Sequence, residues 1–130
     1  MKGLYPRLYR LALVMMKFEG WKHDPPTMSF RHNNPGNLRK SKYQAGVKNG
    51  YAFFADYWTG LYALLFDLAC KCMGKTTTGL GPDSTLADLI EVWAPASDGN
   101  NPAAYALFVA GETCHSVSTR LSWFLESSDA

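Results

Sequence analysis

Residues 18–39 read FEGWKHDPPTMSFRHNNPGNLR, and the rest of the chain is organised around this stretch. It begins where an apolar helical pattern ends, and the acid Glu19 closes that pattern. Pro25 and Pro26 interrupt the chain, and a dense polar cluster follows at residues 31–37. A carboxylate at a helix end, facing a polar turn, can be partly buried and still reachable by a substrate. A general acid needs both conditions.

The helix before Glu19 is predicted from its apolar spacing. Apolar residues recur at intervals of four, three, four and three, at Leu4, Leu8, Leu11, Met15 and Phe18. This spacing gives one apolar helix face, and Gly20 is a suitable stop. An acid in the last turn opposes the helix dipole, and such exceptions concentrate at functional sites. The pattern leaves open the alternative that Glu19 is a solvated acid at a fraying helix end.

The region after the prolines is predicted to form a small β element. Residues 33–36, Asn-Asn-Pro-Gly, are a turn signal, and residues 37–39 are predicted as a short strand. A polar loop is expected at residues 40–48. Asn49-Gly50 is a hairpin dipeptide, so residues 51–54 are expected to be the return strand. The sequence therefore predicts an irregular hairpin or flap between helices.

The remainder of the chain predicts helices separated by polar loops. Thr59 is expected to cap a helix whose buried stripe is Leu61, Leu64, Leu65, Leu68 and Cys72. A loop at residues 74–83 leads to a short helix capped by Ser84 or Thr85, with Leu86, Leu89, Ile90 and Trp93 on its apolar side. Asn101-Pro102 begins a further helix with Tyr105, Phe108 and Val109 on one face and Gly111 at its end. A last helix is expected over residues 117–126, before a frayed tail at residues 127–130.

These elements predict an α+β fold that is mainly helical, with about five helices around a small β-hairpin. No linker or internal repeat divides the 130 residues, so a single domain over residues 1–130 is expected. The net charge of +2, with no basic run, argues against a nucleic-acid partner. No apolar run approaches about 18 residues, so no membrane insertion is expected. The apolar residues 11–16 suit a helix better than a signal peptide.

The cysteines and histidines give little support for a metal site. Cys70, Cys72 and Cys114 are odd in number, show no Cys-x-x-Cys spacing, and are interpreted as reduced and partly buried. Cys114 and His115 with one further cysteine would supply only three ligands to a metal ion. His23, His32 and His115 lack ligand spacing and are interpreted as surface or turn histidines. No metal or organic cofactor is expected.

Acid catalysis is the chemical class for which the chain offers a concrete candidate. Neither a phosphate-binding glycine loop nor a Gly-x-Ser-x-Gly elbow occurs. A glycosidic bond best suits a lone carboxylic acid, which protonates the leaving oxygen while a second carboxylate or the substrate itself assists. Asp24, Asp56 and Asp98 are candidates for that second carboxylate, and each is also explained as a turn or cap residue. The high aromatic content is weak evidence for a saccharide partner.

Several blocks in this order resemble a known family. They are Phe-Glu-Gly (18–20), Arg-x-Asn-Asn-Pro-Gly-Asn-Leu-Arg (31–39), the aromatic residues 51–54, Trp-Thr-Gly-Leu-Tyr-Ala-Leu (58–64), Thr-Leu-Ala-Asp-Leu-Ile (85–90) with Trp-Ala-Pro (93–95), and Asn-Pro-Ala-Ala-Tyr (101–105). Together they resemble small phage virion and prophage proteins with lysozyme-like muralytic domains, related to soluble lytic transglycosylases and goose-type lysozymes. The resemblance covers about residues 7–111 and implies a lysozyme-like fold.

The resemblance also implies roles for individual residues. Glu19 matches the single catalytic glutamate, which acts as general acid and then general base. Residues 36–39, with Asn37 and Arg39, match a cleft-lining motif, and Tyr105 matches a cleft tyrosine, although the Asn and Gly of that second motif are absent here. Gly20 stands where the family has a serine. Ser29, Asn33 or Asn34 is the expected substitute, holding the acid or the N-acetyl group of the substrate.

The implied activity is cleavage of the β-1,4 bond between N-acetylmuramic acid and N-acetylglucosamine in peptidoglycan glycan strands. The enzyme would be a lytic transglycosylase or a lysozyme-type muramidase, and the sequence does not distinguish these. The expected protein is a monomer, made in the cytoplasm without a signal peptide, that reaches the wall in a virion, through a holin-type pore or on a secretion system. The alternatives are a catalytically silent glycan-binding or structural virion module, and an intracellular protein with an unrelated role.

Overall fold

A computed structural model of the chain describes residues 5–126. Within this range the chain is mainly helical and contains one small antiparallel sheet, which confirms the predicted α+β class at this level. The elements, in order, are α1 (Pro6–Phe18), α2 (Met28–Arg31), β1 (Gly46–Lys48), β2 (Tyr51–Phe53), α3 (Tyr57–Met73), α4 (Leu86–Trp93), a 3-10 helix (Ala96–Asp98), α5 (Pro102–Thr113) and a second 3-10 helix (Leu121–Leu125). The predicted roles of Leu4 and of a frayed tail at residues 127–130 lie outside the described residues.

The chain divides into two compact units. The central unit is Met15–Asp67, and the terminal unit combines the described residues up to Val14 with those from Leu68 onward. One boundary falls within α1 and the other within α3. A single domain over residues 1–130 stays a prediction.

Helix α1 follows its predicted apolar spacing except at its last position. Leu8, Leu11 and Met15 are buried, whereas Phe18 is 41% exposed, so its assignment to the buried face was wrong. The helix ends at Phe18, and Gly20 adopts a left-handed φ of 81°, which confirms Gly20 as the stop.

The predicted hairpin is present, but its first strand lies later in the chain than expected. β1 pairs antiparallel with β2, with Val47 opposite Ala52, and Asn49 and Gly50 form the turn with φ values of 56° and 81°. Positive φ at both central residues is the geometry of a type I′ hairpin turn. The strand predicted at residues 37–39 is absent from the described chain, because Asn37 has a φ of 51°, outside the β region. β1 instead occupies the end of the predicted loop.

The hairpin provides part of the buried core of the central unit. Ala52 and Phe54 cluster with Ala63 of α3, and Leu38 and Tyr43 pack against them. The two ends of the segment 38–43 therefore lie against this core although the segment has no regular secondary structure. The short helix α2 was not predicted from the sequence.

Helix α3 carries the predicted apolar stripe, but its cap is a different residue. Leu61, Leu64, Leu65, Leu68 and Cys72 are all buried, which confirms the stripe. Thr59 lies inside the helix, so its assignment as the cap was wrong. The carboxylate of Asp56 accepts hydrogen bonds from the Thr59 amide at 2.8 Å and the Thr59 hydroxyl at 2.9 Å, and it fills the capping role.

Helices α4 and α5 begin at the predicted caps. Thr85 accepts from the Asp88 amide while the Asp88 carboxylate accepts from the Thr85 amide, which is a capping box. Asn101 caps α5 through the Ala104 amide at 3.1 Å, with Pro102 in the first turn.

Helices α4 and α5 pack on each other. The face that α5 buries is Tyr105, Ala106, Val109 and Ala110. Phe108 is exposed and Gly111 lies within the helix, so two details predicted for α5 were wrong.

The end of the described chain is a 3-10 helix and not the helix predicted at residues 117–126. Leu121 and Phe124 are buried, and Leu125 is half-buried. The carbonyls of Val117 and Thr119 accept hydrogen bonds from the Ala87 and Leu86 amides at 3.0 and 2.9 Å. These amides lie in the first turn of α4, where they have no partner within the helix, so residues 117–119 pair with α4 instead of beginning a helix.

Candidate active site

Glu19 occupies the position that caps the C-terminus of α1. Its amide donates to the Met15 carbonyl at 2.8 Å. The next two amides close the helix end, from Gly20 to Lys17 at 3.2 Å and from Trp21 to Met16 at 3.2 Å. These two bonds with a left-handed glycine form a Schellman motif. The backbone of Glu19 is thus fixed, and its side chain is half-buried.

The backbone conformation at position 20 explains why a glycine follows Glu19. A φ of 81° suits glycine and strains almost any residue with a Cβ atom, including serine. The Schellman motif that orients Glu19 therefore requires Gly20 at the place where the resembling family has a serine.

Thr27 closes the loop that follows Glu19, and sequence reasoning missed it. Its hydroxyl donates to the Gly20 carbonyl at 2.7 Å, and its amide donates to the Lys22 carbonyl at 3.0 Å. The hydroxyl oxygen is also 3.3 Å from the Ser29 hydroxyl. The single hydroxyl proton of Thr27 is donated to the Gly20 carbonyl, so in the contact between the two hydroxyls Ser29 is the donor. Ser29 is buried and acts on the backbone beside Glu19 through Thr27.

An aromatic cluster lies beside this loop. The Trp21 ring contacts Phe30 with centroids 5.1 Å apart and Tyr57 with centroids 5.3 Å apart. The His23 ring lies 6.0 Å from Phe30. These contacts attach the loop after Glu19 to α2 and to the first turn of α3, both within the central unit.

Asn34 is a structural residue of the polar turn. It is 0% exposed. Its amide group donates to the carbonyls of Leu38 and Ala52 at 2.9 Å each, and its side-chain oxygen accepts from the Leu38 amide at 2.9 Å. A substrate cannot reach a side chain that is fully enclosed, so we reassign Asn34 from substrate contact to holding the turn.

The other two asparagines of the turn differ from Asn34 in exposure. Asn33 and Asn37 are half-buried and have left-handed φ values of 54° and 51°. The Asn33 amide group donates to the Phe54 carbonyl at 3.1 Å. Asparagine tolerates this backbone conformation better than most residues, which is a structural reason for both. Their half-exposed side chains leave the predicted substrate contact open.

Two glycines allow the polar turn to lie directly against α3. A Cβ atom on Gly60 would lie 1.8 Å from the Asn33 carbonyl oxygen. A Cβ atom on Gly36 would lie 2.6 Å from Leu64 Cδ1. The close approach of backbone to helix explains both residues, and no local signal in the sequence indicates it.

Arg39 and His32 are held by aromatic and backbone groups of the same unit. The exposed Arg39 guanidinium lies 4.4 Å from the centre of the Tyr51 ring, which is a cation–π contact. His32 is buried, with Nδ1 3.2 Å from the Ala52 carbonyl, so this nitrogen donates. His32 is therefore a buried part of the turn and not a surface residue.

Tyr105 belongs to the core of the terminal unit. The side chain is 2% exposed on the buried face of α5. Almost none of the ring is left for a substrate, so we assign Tyr105 to packing and not to the site.

The candidates for a second carboxylate have structural roles or lie in solvent. Asp56 caps α3, and its hydrogen bonds from the amide and hydroxyl of Thr59 hold the pKa of the carboxyl below its usual value. Asp24 is exposed in the loop after Glu19, and Asp98 is exposed in a 3-10 helix of the terminal unit. The cap role predicted as the alternative for Asp56 is confirmed.

The three cysteines are free, and the described residues contain no cluster of potential metal ligands. Within residues 5–126 no three His, Cys, Asp or Glu side chains are grouped to hold a metal ion. Cys70 and Cys114 are half-buried, and burial raises the pKa of the Cys72 thiol to about 12. In the same part of the chain, no helix combines the length and apolar character needed to cross a bilayer.

Comparisons with known proteins find no relative: no family model, no curated protein and no solved structure matches the chain. The candidate site therefore depends on the residues of the central unit and their chemistry. Glu19, its Schellman motif, the Thr27–Ser29 link and the aromatic cluster all lie within Met15–Asp67.

Proposed function

We propose that this chain is a peptidoglycan-degrading glycosidase with a lysozyme-like fold, in which Glu19 is the only catalytic carboxylate. The bond cleaved is the β-1,4 bond between N-acetylmuramic acid and N-acetylglucosamine. The observation that carries the proposal is the state of Glu19, half-buried on a backbone fixed by the Schellman motif and by Thr27. A general acid has to be held in position while it remains open to substrate.

The reaction needs one carboxyl group in two successive roles. Protonated Glu19 donates its proton to the glycosidic oxygen, and the bond from that oxygen to muramyl C1 breaks. The resulting carboxylate then takes a proton from the nucleophile that attacks C1. In a transglycosylase the nucleophile is the muramyl C6 hydroxyl, which gives a 1,6-anhydro ring, and in a hydrolase it is water.

The rest of the central unit supports this mechanism. Asp56 is committed to capping α3 and Asp24 is exposed, so a mechanism with one protein carboxylate fits the residues near Glu19 in the chain. The contacts of Trp21 with Phe30 and Tyr57 supply aromatic surface, which saccharide-binding sites favour. The sequence blocks that resemble muralytic domains support the same substrate.

Product analysis tests the proposal directly. Purified protein is incubated with purified peptidoglycan, and the soluble fragments are examined by mass spectrometry. We expect disaccharide-peptides cut after N-acetylmuramic acid. An anhydro end, lighter by one water, identifies the C6 hydroxyl as nucleophile, and a reducing end identifies water. Intact walls, or cleavage confined to the peptide stems, would contradict the proposal.

A catalytically silent glycan-binding module of a virion is the second candidate. The exposure of Trp58, at 71%, favours it, because an exposed ring can bind a sugar without an acid. Binding to walls without release of fragments would identify this function. In either case we propose that the protein acts at the cell wall and is carried there by a virion or a secretion system.

A further inference from the structure

Helix α3 carries a line of aromatic rings on its outer side. Trp58, Tyr62 and Phe66 follow at intervals of four residues, which places them along one side of the helix. Trp58 is 71% exposed, Tyr62 is 43% exposed and Phe66 is half-buried. We call these three residues the aromatic stripe. All three belong to the central unit.

Tyr43 fixes the orientation of two rings of the stripe. Its ring is nearly perpendicular to Tyr62 at 88° and to Phe66 at 83°, with centroids 5.1 and 5.5 Å away. The rings of Tyr62 and Phe66 are themselves nearly parallel, at 19° with centroids 6.4 Å apart. A hydrogen bond with Tyr43 also raises the pKa of the Tyr62 phenol.

The aromatic stripe is supported by a ring that packs on the core, and it has a positive charge at one end. Tyr43 packs against the buried cluster of Ala52, Phe54 and Ala63, so the ring that orients the stripe is anchored in the core. The Lys42 ammonium lies 4.3 Å from the centre of the Phe66 ring and 5.2 Å from that of Tyr43. Exposed rings that are already ordered lose little entropy when a ligand binds.

We propose that the aromatic stripe with Lys42 is a binding surface for the glycan strand of peptidoglycan, additional to the site at Glu19. Aromatic faces take the apolar C–H faces of sugar rings, and phenol hydroxyls at their edges bond sugar hydroxyls. Lys42 complements the carboxylates of peptidoglycan, which lie on the lactyl groups and peptide stems. The inference rests on the proposed substrate and adds a surface that retains the strand.

Binding is measured with the full chain carrying Glu19→Gln, so that the wall is not degraded during the experiment. The protein is co-sedimented with purified insoluble peptidoglycan over a range of protein concentrations. Trp58→Ala and Tyr62→Ala are each expected to weaken binding about three- to tenfold, which corresponds to the loss of one aromatic contact. Lys42→Gln is expected to weaken binding and to reduce its dependence on salt.

Matched variants separate the loss of the rings from general effects. Leu107→Ala removes a side chain that is 66% exposed in the terminal unit, and binding is expected to be unchanged. Tyr62→Phe keeps the ring and loses only the hydroxyl, so it is expected to weaken binding less than Tyr62→Ala does. Lys42→Arg keeps the charge, so it is expected to weaken binding less than Lys42→Gln does. Circular dichroism and thermal melting of each variant show whether the fold is retained.

Equal wall binding by the parent and the two alanine variants would overturn the inference, as would a parent that does not bind walls. Equal binding by the parent and the alanine variants is also expected if the aromatic stripe binds another protein of the virion instead of a glycan. Failure of the proposed function has a different signature, because it requires that unsubstituted protein release no fragments from the wall. A protein that releases fragments while its stripe variants bind normally loses only the present inference.

Discussion

The polar turn of the central unit and the starts of α4 and α5 in the terminal unit are stabilised by different kinds of polar contact. In the terminal unit, helix ends are capped by near neighbours in sequence, Thr85 with Asp88 and Asn101 with Ala104. In the central unit, Asn34 and Asn33 bond backbone groups 18 and 21 residues away. A cap stabilises its own helix end, whereas these asparagines bring separate segments together. We therefore expect the polar turn to be more sensitive to single changes than the capped ends of α4 and α5 are.

Left-handed backbone conformations of non-glycine residues are more frequent in the central unit than in the terminal unit, among the described residues. Of the non-glycine residues with positive φ in the described chain, Asn33, Asn37 and Asn49 lie in the central unit and His115 lies in the terminal unit. Such conformations carry a cost and persist where surrounding contacts determine them. The asparagines at positions 33 and 37 flank Asn34, whose buried bonds supply those contacts.

The largest effect on stability is expected from Gly60→Ala. The added Cβ atom would lie 1.8 Å from the Asn33 carbonyl oxygen, so α3 or the turn must move. We expect a loss of about 3 kcal/mol or more in the free energy of unfolding, measured by urea denaturation. Gly111→Ala is the matched control in α5, where an added Cβ atom meets nothing within 4 Å. It should stabilise the protein by about 0.5–1 kcal/mol. Similar effects at the two glycines would refute the close approach at Gly60.

A slightly smaller effect is expected from Asn34→Asp. The side chain keeps its shape, but a carboxylate cannot donate to the carbonyls of Leu38 and Ala52. We expect a loss of roughly 3 kcal/mol at neutral pH. The buried carboxyl would have a raised pKa, so the loss should shrink as the pH falls and the group becomes protonated. Thermal melting at pH 4 and pH 7 measures this, and an equal loss at both would contradict the assignment of Asn34 as a donor.

The smallest effect is expected from Thr85→Ala in the terminal unit. Loss of the hydroxyl breaks one half of the capping box of α4 and should cost about 1 kcal/mol. Thr77→Ala, in the exposed loop before α4, is the control and should have little effect. If Thr85→Ala were as harmful as Asn34→Asp, the contrast between local caps and long-range bonds would be lost.

Local signals predicted much of the helical structure. Gly20, the hairpin turn at Asn49-Gly50 and the caps Thr85 and Asn101 were all found from neighbouring residues, because each acts within a few positions of itself. The buried apolar side of α3, from Leu61 to Cys72, was predicted because helical spacing alone determines it.

Contacts between distant segments were not predictable in this way. The cap of α3 was missed for a local reason: Thr59 is a good capping residue, but Asp56 three positions earlier has that role. Residues 117–119 were predicted to begin a helix, yet the carbonyls of Val117 and Thr119 accept hydrogen bonds from the first turn of α4. In the site, Asn34 was expected to contact substrate. The sequence did not reveal its burial, because that burial depends on Leu38 and Ala52. Thr27 was missed because its partner is the Gly20 carbonyl, seven residues earlier.

We propose that Glu19 donates the proton in the cleavage of the glycan strand, and the rate of fragment release from purified peptidoglycan tests this role. Unsubstituted protein is compared with Glu19→Gln and with Glu91→Gln, which changes an exposed glutamate of α4. A neutral amide cannot supply the proton, so Glu19→Gln should release fragments about 10² to 10⁴ times more slowly while melting at the same temperature. Glu91→Gln should keep the full rate. A fully active Glu19→Gln variant would contradict the account.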